Sequence, residues 1–230
     1  MSVIQIKTPG LIAVRDECGK LTIGGDQYWY PSEGFLPPGA CGATTASNVL
    51  AYLLRSRPEL FCIMQKTGLV GLEAPFHDSN NPYEDSPAPN TKAGYLSFMK
   101  KVYRFLYPRL GGLMVEGFLE GMSELAHEYE LPITTEFMRA PIGRSRRPSF
   151  SEVAGFLRSS LGSDIPVAFL ILSNGCVENL DTWHWVTVLA LDEETKRVKI
   201  LDNTEVFWAD LCVWLETSIM GGSFVRLLKR

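Results

Sequence analysis

Residues 183–203 read WHWVTVLALDEETKRVKILDN: a nine-residue apolar and aromatic run, the break Asp-Glu-Glu-Thr, then basic and apolar residues in alternation. β-Branched and aromatic residues at period two around a polar break predict two strands joined as an antiparallel hairpin. The first strand is apolar on both faces, and an unpartnered His184 there would be costly. Loop length decides its partner. A three-residue loop sets His184 directly opposite Asp202, and a four-residue loop sets it opposite Asn203. Asp202 is favoured because it alternates with Val198 and Ile200 on the apolar face, while Arg197 and Lys199 mark the wet one. The alternative is that Asp202 and Asn203 only form a turn.

Outward from the hairpin, IPVAFLIL (165–172) and FVRLLK (224–229) read as further strands. Upstream the period changes to that of helices in AGYLSFMKKVYRFLY, VEGFLEGMSELAHEYEL and SFSEVAGFLRSSL, the last opened by Ser149 and Glu152 at capping-box spacing. CGATTASNVLAYLLRS, from residue 41, carries apolar residues at 46, 49, 50, 53 and 54, the pattern of a helix packed on one side. Residues 3–30 read as short extended pieces, and 73–92, with four prolines, as a long loop. Helices over 41–163 and strands over 165–230 make an α+β chain. The Pro/Arg/Ser-rich RAPIGRSRRPS predicts a division into 1–148, a β hairpin and helical lobe, and 149–230, a helix with an antiparallel β lobe.

The 230 residues are 46 % hydrophobic and 21 % charged, enough for a large core. A net charge of −4 lacks the positive field that non-specific nucleic-acid binding needs, so no nucleic acid is expected. No run approaches the length of a membrane span and the N-terminus has no signal-peptide pattern, so a cytoplasmic protein without a membrane partner is expected. Five widely spaced cysteines point to a reducing compartment. Three scattered histidines and no close cysteine pair offer no zinc spacing, so neither metal nor cofactor is expected.

Cys41 lies at the start of the 41–56 helix, just past Pro37-Pro38-Gly39. Free amides and the macrodipole there favour thiolate, the attacking form. Its side of the helix carries Thr45, Asn48 and Tyr52, away from the apolar stripe; the bland alternative is a small buried hydrophobe. A thiolate nucleophile needs a base and the base needs an orienter. His77 falls in the Pro-rich loop and His127 among glutamates, which leaves His184 as base and Asp202, or Asn203, as orienter. An oxyanion would meet the Cys41 amide and a side-chain amide, for which Gln27, 14 residues upstream, is the candidate. Trp183 and Trp185 are core residues or substrate-cleft walls.

His184 follows Cys41 by 143 residues and Asp202 follows His184 by 18. This order and spacing resembles the papain-like cysteine proteases, whose separation is about 130–150 residues. More closely, PGACGATTASNVLAYLL resembles the nucleophile helix of the bacterial C39-like papain-fold peptidases. WHWVTVLALDEETKRVKILDN is similar to their histidine-strand, turn and aspartate-strand block. The resemblance covers about 38 residues and implies a papain-like two-lobe fold, with the nucleophile on a helical lobe, His and Asp on a β lobe, and a peptide substrate between them. Carried over by position, Cys41 is the nucleophile, His184 the base and then acid, and Asp202 the orienter. The chain departs from the family at Phe35–Pro38, where a glutamine is usual, and it lacks the Gly-Ser-Cys-Trp of papain itself. The expected function is hydrolysis of a peptide or amide bond through a thioester. Acyl transfer through the same thioester, or a non-catalytic peptide-binding module, are the alternatives.

Overall fold

The helix that begins at Cys41's neighbour is the axis of the molecule. In the computed structural model, which describes residues 3–30, 39–75, 87–106 and 112–230, it runs as α1 (Ala40–Arg55) and is buried along almost its whole length. The one-sided packing expected from its apolar stripe is therefore corrected. Its polar face is also interior, because most polar groups there find a partner inside the protein, Thr44 Oγ1 and Arg55 Nε being the buried exceptions. Ser47 Oγ donates to Ala43 O at 2.7 Å, Asn48 Oδ1 accepts from Gly25 N–H and the Tyr95 hydroxyl, and the Tyr52 hydroxyl donates to Asp164 Oδ1 at 2.5 Å. Arg55, fully buried, donates through its guanidinium to Leu11 O and, at 2.5 Å, to Ala88 O. Burial lowers its pKa to about 10, with the Glu73 charge among the opposing influences, so it stays charged at neutral pH and the two carbonyls hold it.

Before α1 come β1 (Ile4–Gln5), β2 (Ala13–Arg15) and β3 (Leu21–Ile23); after it come α2 (Pro58–Thr67), β4 (Asn90–Thr91), α3 (Lys92–Tyr103) and α4 (Val115–Glu128). Then follow β5 (Ile133–Ala140), α5 (Phe150–Gly162), β6 (Val167–Ile171), β7 (His184–Asp192), β8 (Arg197–Asp202), β9 (Glu205–Asp210), α6 (Leu211–Thr217) and β10 (Gly222–Lys229). The chain is thus a mixed helix-and-sheet protein. A seven-stranded antiparallel sheet has the order β5-β10-β6-β7-β8-β9, and β1 pairs with the far end of β7. Strands on both sides of residue 148 share it. A smaller sheet, β3-β2-β4, sits beside it. α1 and α5 both pack on β7, whose first eight residues are all buried, so both faces of that strand are covered. The capping box forms at α5, where Ser149 N–H donates to Glu152 Oε2 at 2.7 Å and Glu152 N–H to Ser149 Oγ at 3.3 Å. Among the described residues no helix is long and apolar enough to cross a membrane.

The hairpin register differs from both expected versions. The loop has four residues, 193–196, between the paired Asp192 and Arg197, and a bulge at Leu189 then shifts the ladder by one, so Thr187 faces Leu201. Continued, this register puts Asp202 opposite Val186. His184 is two residues further along, a diagonal neighbour on the same face. The bulge restores the parity that the longer loop would have broken.

Candidate active site

No side chain caps the start of α1 among the described residues, so its first amides, that of Cys41 included, have no partner within the helix. Gly42 lets β7 come close, since a Cβ there would lie 2.5 Å from Leu113 Cδ2 and 3.1 Å from Trp185 Cδ1. The start of β7 is thereby held against the start of α1. Cys41, Thr44, Thr45, Asn48, His184, Trp185, Leu201, Asp202 and Asn203 line one small pocket.

His184 Nε2 lies 2.8 Å from Asp202 Oδ1. A carboxylate only accepts, so Nε2 carries the proton and Nδ1 is the nitrogen left to face Cys41. His184 is only 7 % exposed. Burial alone would make it a weaker base, but hydrogen bonds with Asp202 and with the Cys41 thiol, and the charges of both, outweigh that and raise its pKa to about 10. An imidazolium is favoured across the neutral range, flanked by sulfur on one side and a carboxylate on the other.

The other residues singled out in the sequence fall as follows. Asp202, not Asn203, is the hydrogen-bond partner of the imidazole: Asn203 and Thr204, at φ 44° and 70°, form the two-residue turn between β8 and β9, and Asn203 Oδ1 accepts from the Gln27 N–H at 3.2 Å. Gln27 is buried next to the pocket through that backbone bond, but its side chain is not among the lining groups. Trp185 is 2 % exposed, stacks on Phe118 with ring centroids 4.5 Å apart and donates its indole N–H to Leu113 O at 2.7 Å, so it is a core residue with one edge on the pocket. Trp183 is 53 % exposed at φ 54°, an unfavourable backbone for a bulky side chain. His127 sits at the end of α4 away from the pocket, and His77 lies outside the described residues. All five cysteines are free thiols.

Two groups were not legible as site residues. Asn48 anchors the segment leading to Gln27 by accepting from Gly25 N–H at 2.9 Å. A Cβ on Gly24 would meet Leu201 Cδ2 at 2.7 Å and Asn48 Oδ1 at 3.0 Å, so that segment lies directly on α1 and β8. The other is Asp181. It presents a carboxylate oxygen that, with donor atoms of His184 and Asp202, forms a cluster whose members all lie within 4.8 Å of one another. Such a set could hold a cation, although His184 Nε2 and Asp202 Oδ1 are already bonded to each other. An aspartate three residues before a strand looks like any polar loop residue in sequence; only the fold turns it toward the imidazole.

No family model matches the chain, and no curated protein matches it. Among solved structures it is similar to the N-terminal peptidase C39-like domain of the toxin secretion ATP-binding protein from Vibrio parahaemolyticus. The TM-score is 0.30 and the identity 11 %, over 57 % of this chain and 82 % of that one.

Proposed function

We propose that the chain is a papain-like cysteine hydrolase that cleaves a peptide or amide bond through a thioester on Cys41. On this reading the part before residue 149 supplies the nucleophile, the part after it supplies base and orienter, and substrate binds where they meet. One observation carries it: His184 Nε2 is bonded to Asp202 at 2.8 Å, which leaves its other nitrogen to Cys41 at an uncapped helix start. Cys41 Sγ attacks the carbonyl carbon, and the oxyanion meets the Cys41 N–H at the helix start. His184 gives its proton to the leaving amine. It then takes a proton from water, whose oxygen displaces the thioester sulfur and releases the acid and the free thiol.

The test is cleavage of a diverse peptide library, followed by mass spectrometry, with wild type, Cys41→Ser and His184→Ala. Cleavage by wild type alone is the expected result. A second measurement separates an enzyme from a binding module: alkylation of Cys41 at mildly acidic pH, compared with the exposed Cys18 and Cys62. If Cys41 reacts no faster than those two and His184→Ala changes nothing, the hydrolase reading is wrong.

A further inference from the structure

The pocket that holds Cys41 is bordered by more negative than positive charge. Asp202 is matched by His184. Asp181, exposed and within 4.8 Å of donor atoms of both, makes no hydrogen bond or ion pair with any described residue. Asp26 is a third carboxylate close by. Its pKa is raised, first by burial and also by the charge of Asp202, while a hydrogen bond from Tyr28 N–H and the charge of Lys92 act the other way. Lys92 also lies over the Trp29 ring, 5.1 Å from its centroid, and among the described residues neither lysine nor arginine lines the pocket. Immediately before His184 stands Trp183, its large ring half exposed. Asp181 and Trp183 stand two residues apart in the segment that leads into β7, and an unpaired carboxylate and an exposed indole are both groups that recognise an alkylammonium or guanidinium: the first by charge, the second by the ring's negative face.

Resting on the hydrolase reading, we infer that the site takes substrates carrying a positive charge near the bond to be cleaved, with Asp181 and Trp183 as the residues that select it. The cation is a lysine or arginine side chain or a free terminal amine of the substrate. It pairs with the exposed Asp181 carboxylate and offsets the excess negative charge next to Cys41, an attraction that salt screens.

Small charged reagents test this without knowledge of the substrate. Cys41 in the full chain is modified, with EDTA present, by the ethylammonium and the ethylsulfonate methanethiosulfonates, and the rates are read by peptide mass mapping. Cys18 and Cys62 in the same molecules serve as references. The cationic reagent should be preferred at Cys41 about tenfold more than at the reference thiols, with the preference shrinking in high salt. In Asp181→Asn most of the preference should disappear, with circular dichroism unchanged. Equal reagent ratios at Cys41 and at the references, or a preference that Asp181→Asn leaves intact, would overturn the inference. A second arm uses acyloxymethyl ketone peptides that differ only in lysine against norleucine, each with a free or an acetylated amino terminus. Faster labelling by capped lysine over capped norleucine assigns the cation to a side chain; faster labelling only with a free terminus assigns it to the amine. Labelling by all four at one rate leaves the hydrolase reading standing and removes the charge selection. If the small reagents show the preference and no peptide probe labels Cys41, the hydrolase reading fails instead.

Discussion

Asp202 does two things to one imidazole: it fixes which nitrogen holds the proton, and it keeps that proton on. Asp202→Asn preserves the shape but removes the charge, so on the proposed hydrolase reading turnover should fall by about 10²–10⁴-fold, and the His184 titration, followed by NMR, should move well below its wild-type position of about 10. An unchanged titration would separate Asp202 from the base. The raised pKa also has a stability consequence. His184 binds its proton more tightly folded than unfolded, where the value is 6.5. The stabilisation is complete below about pH 6.5 and is lost as pH rises toward about 10. Urea unfolding should therefore show stability declining across that window in wild type, and His184→Gln should flatten the decline. At Trp185 the expectation concerns packing, since Trp185→Ala removes a stacked, hydrogen-bonded and nearly inaccessible ring. The cost should be about 3–5 kcal/mol in chemical denaturation.

Among the elements, the turn between β8 and β9 carries backbone strain near the site. Thr204 is β-branched and sits at φ 70°, where a type I′ turn favours glycine. Thr204→Gly should therefore raise stability by about 1 kcal/mol, read as a higher melting temperature, while Asn203 keeps its bond to Gln27. A fall in melting temperature would mean that the Thr204 side chain makes a stabilising contact. The same hairpin shows what could be read in advance. Alternation along VKILD marked Asp202 as inward-facing, and the chemistry of a thiol nucleophile singled out Cys41 and His184. The bulge at Leu189 could not be read, because nothing in VTVLAL distinguishes a paired residue from an extra one. Parity was recoverable from the apolar pattern, whereas register needed the whole sheet. Three elements left no clear period: α2 in PELFCIMQKT, β5 in ITTEFMRA and β9 in EVFWAD. The two strands are edges of the sheet with half-exposed residues, where burial imposes little alternation. α1 was legible as a helix but not as a central one, since its inward Asn48, Tyr52 and Arg55 are held by partners far away in sequence, Leu11, Ala88, Tyr95 and Asp164.

At the scale of the molecule, β10 lies between β5 and β6, with eight residue pairs to β5 and four to β6. A chain ending at residue 221 would leave both neighbours with open edges and uncover Phe169, which Phe224 stacks on at 4.4 Å. Loss of the cooperative thermal transition is expected for that truncation, whereas a folded product would show that the sheet closes without it. Arg55 ties the N-terminal segment and the segment before β4 to α1 through two carbonyls. Arg55→Ala strands both, while a shorter ammonium cannot span them, so Arg55→Lys should recover little of the lost stability. The long separation between Cys41 and His184 also has a temporal side. During synthesis the sulfur leaves the ribosome far ahead of the imidazole, and β7 settles only when strands made still later flank it. On the proposed reading, a nascent or broken polypeptide therefore carries an unarmed thiol, and hydrolysis begins only after assembly is nearly finished.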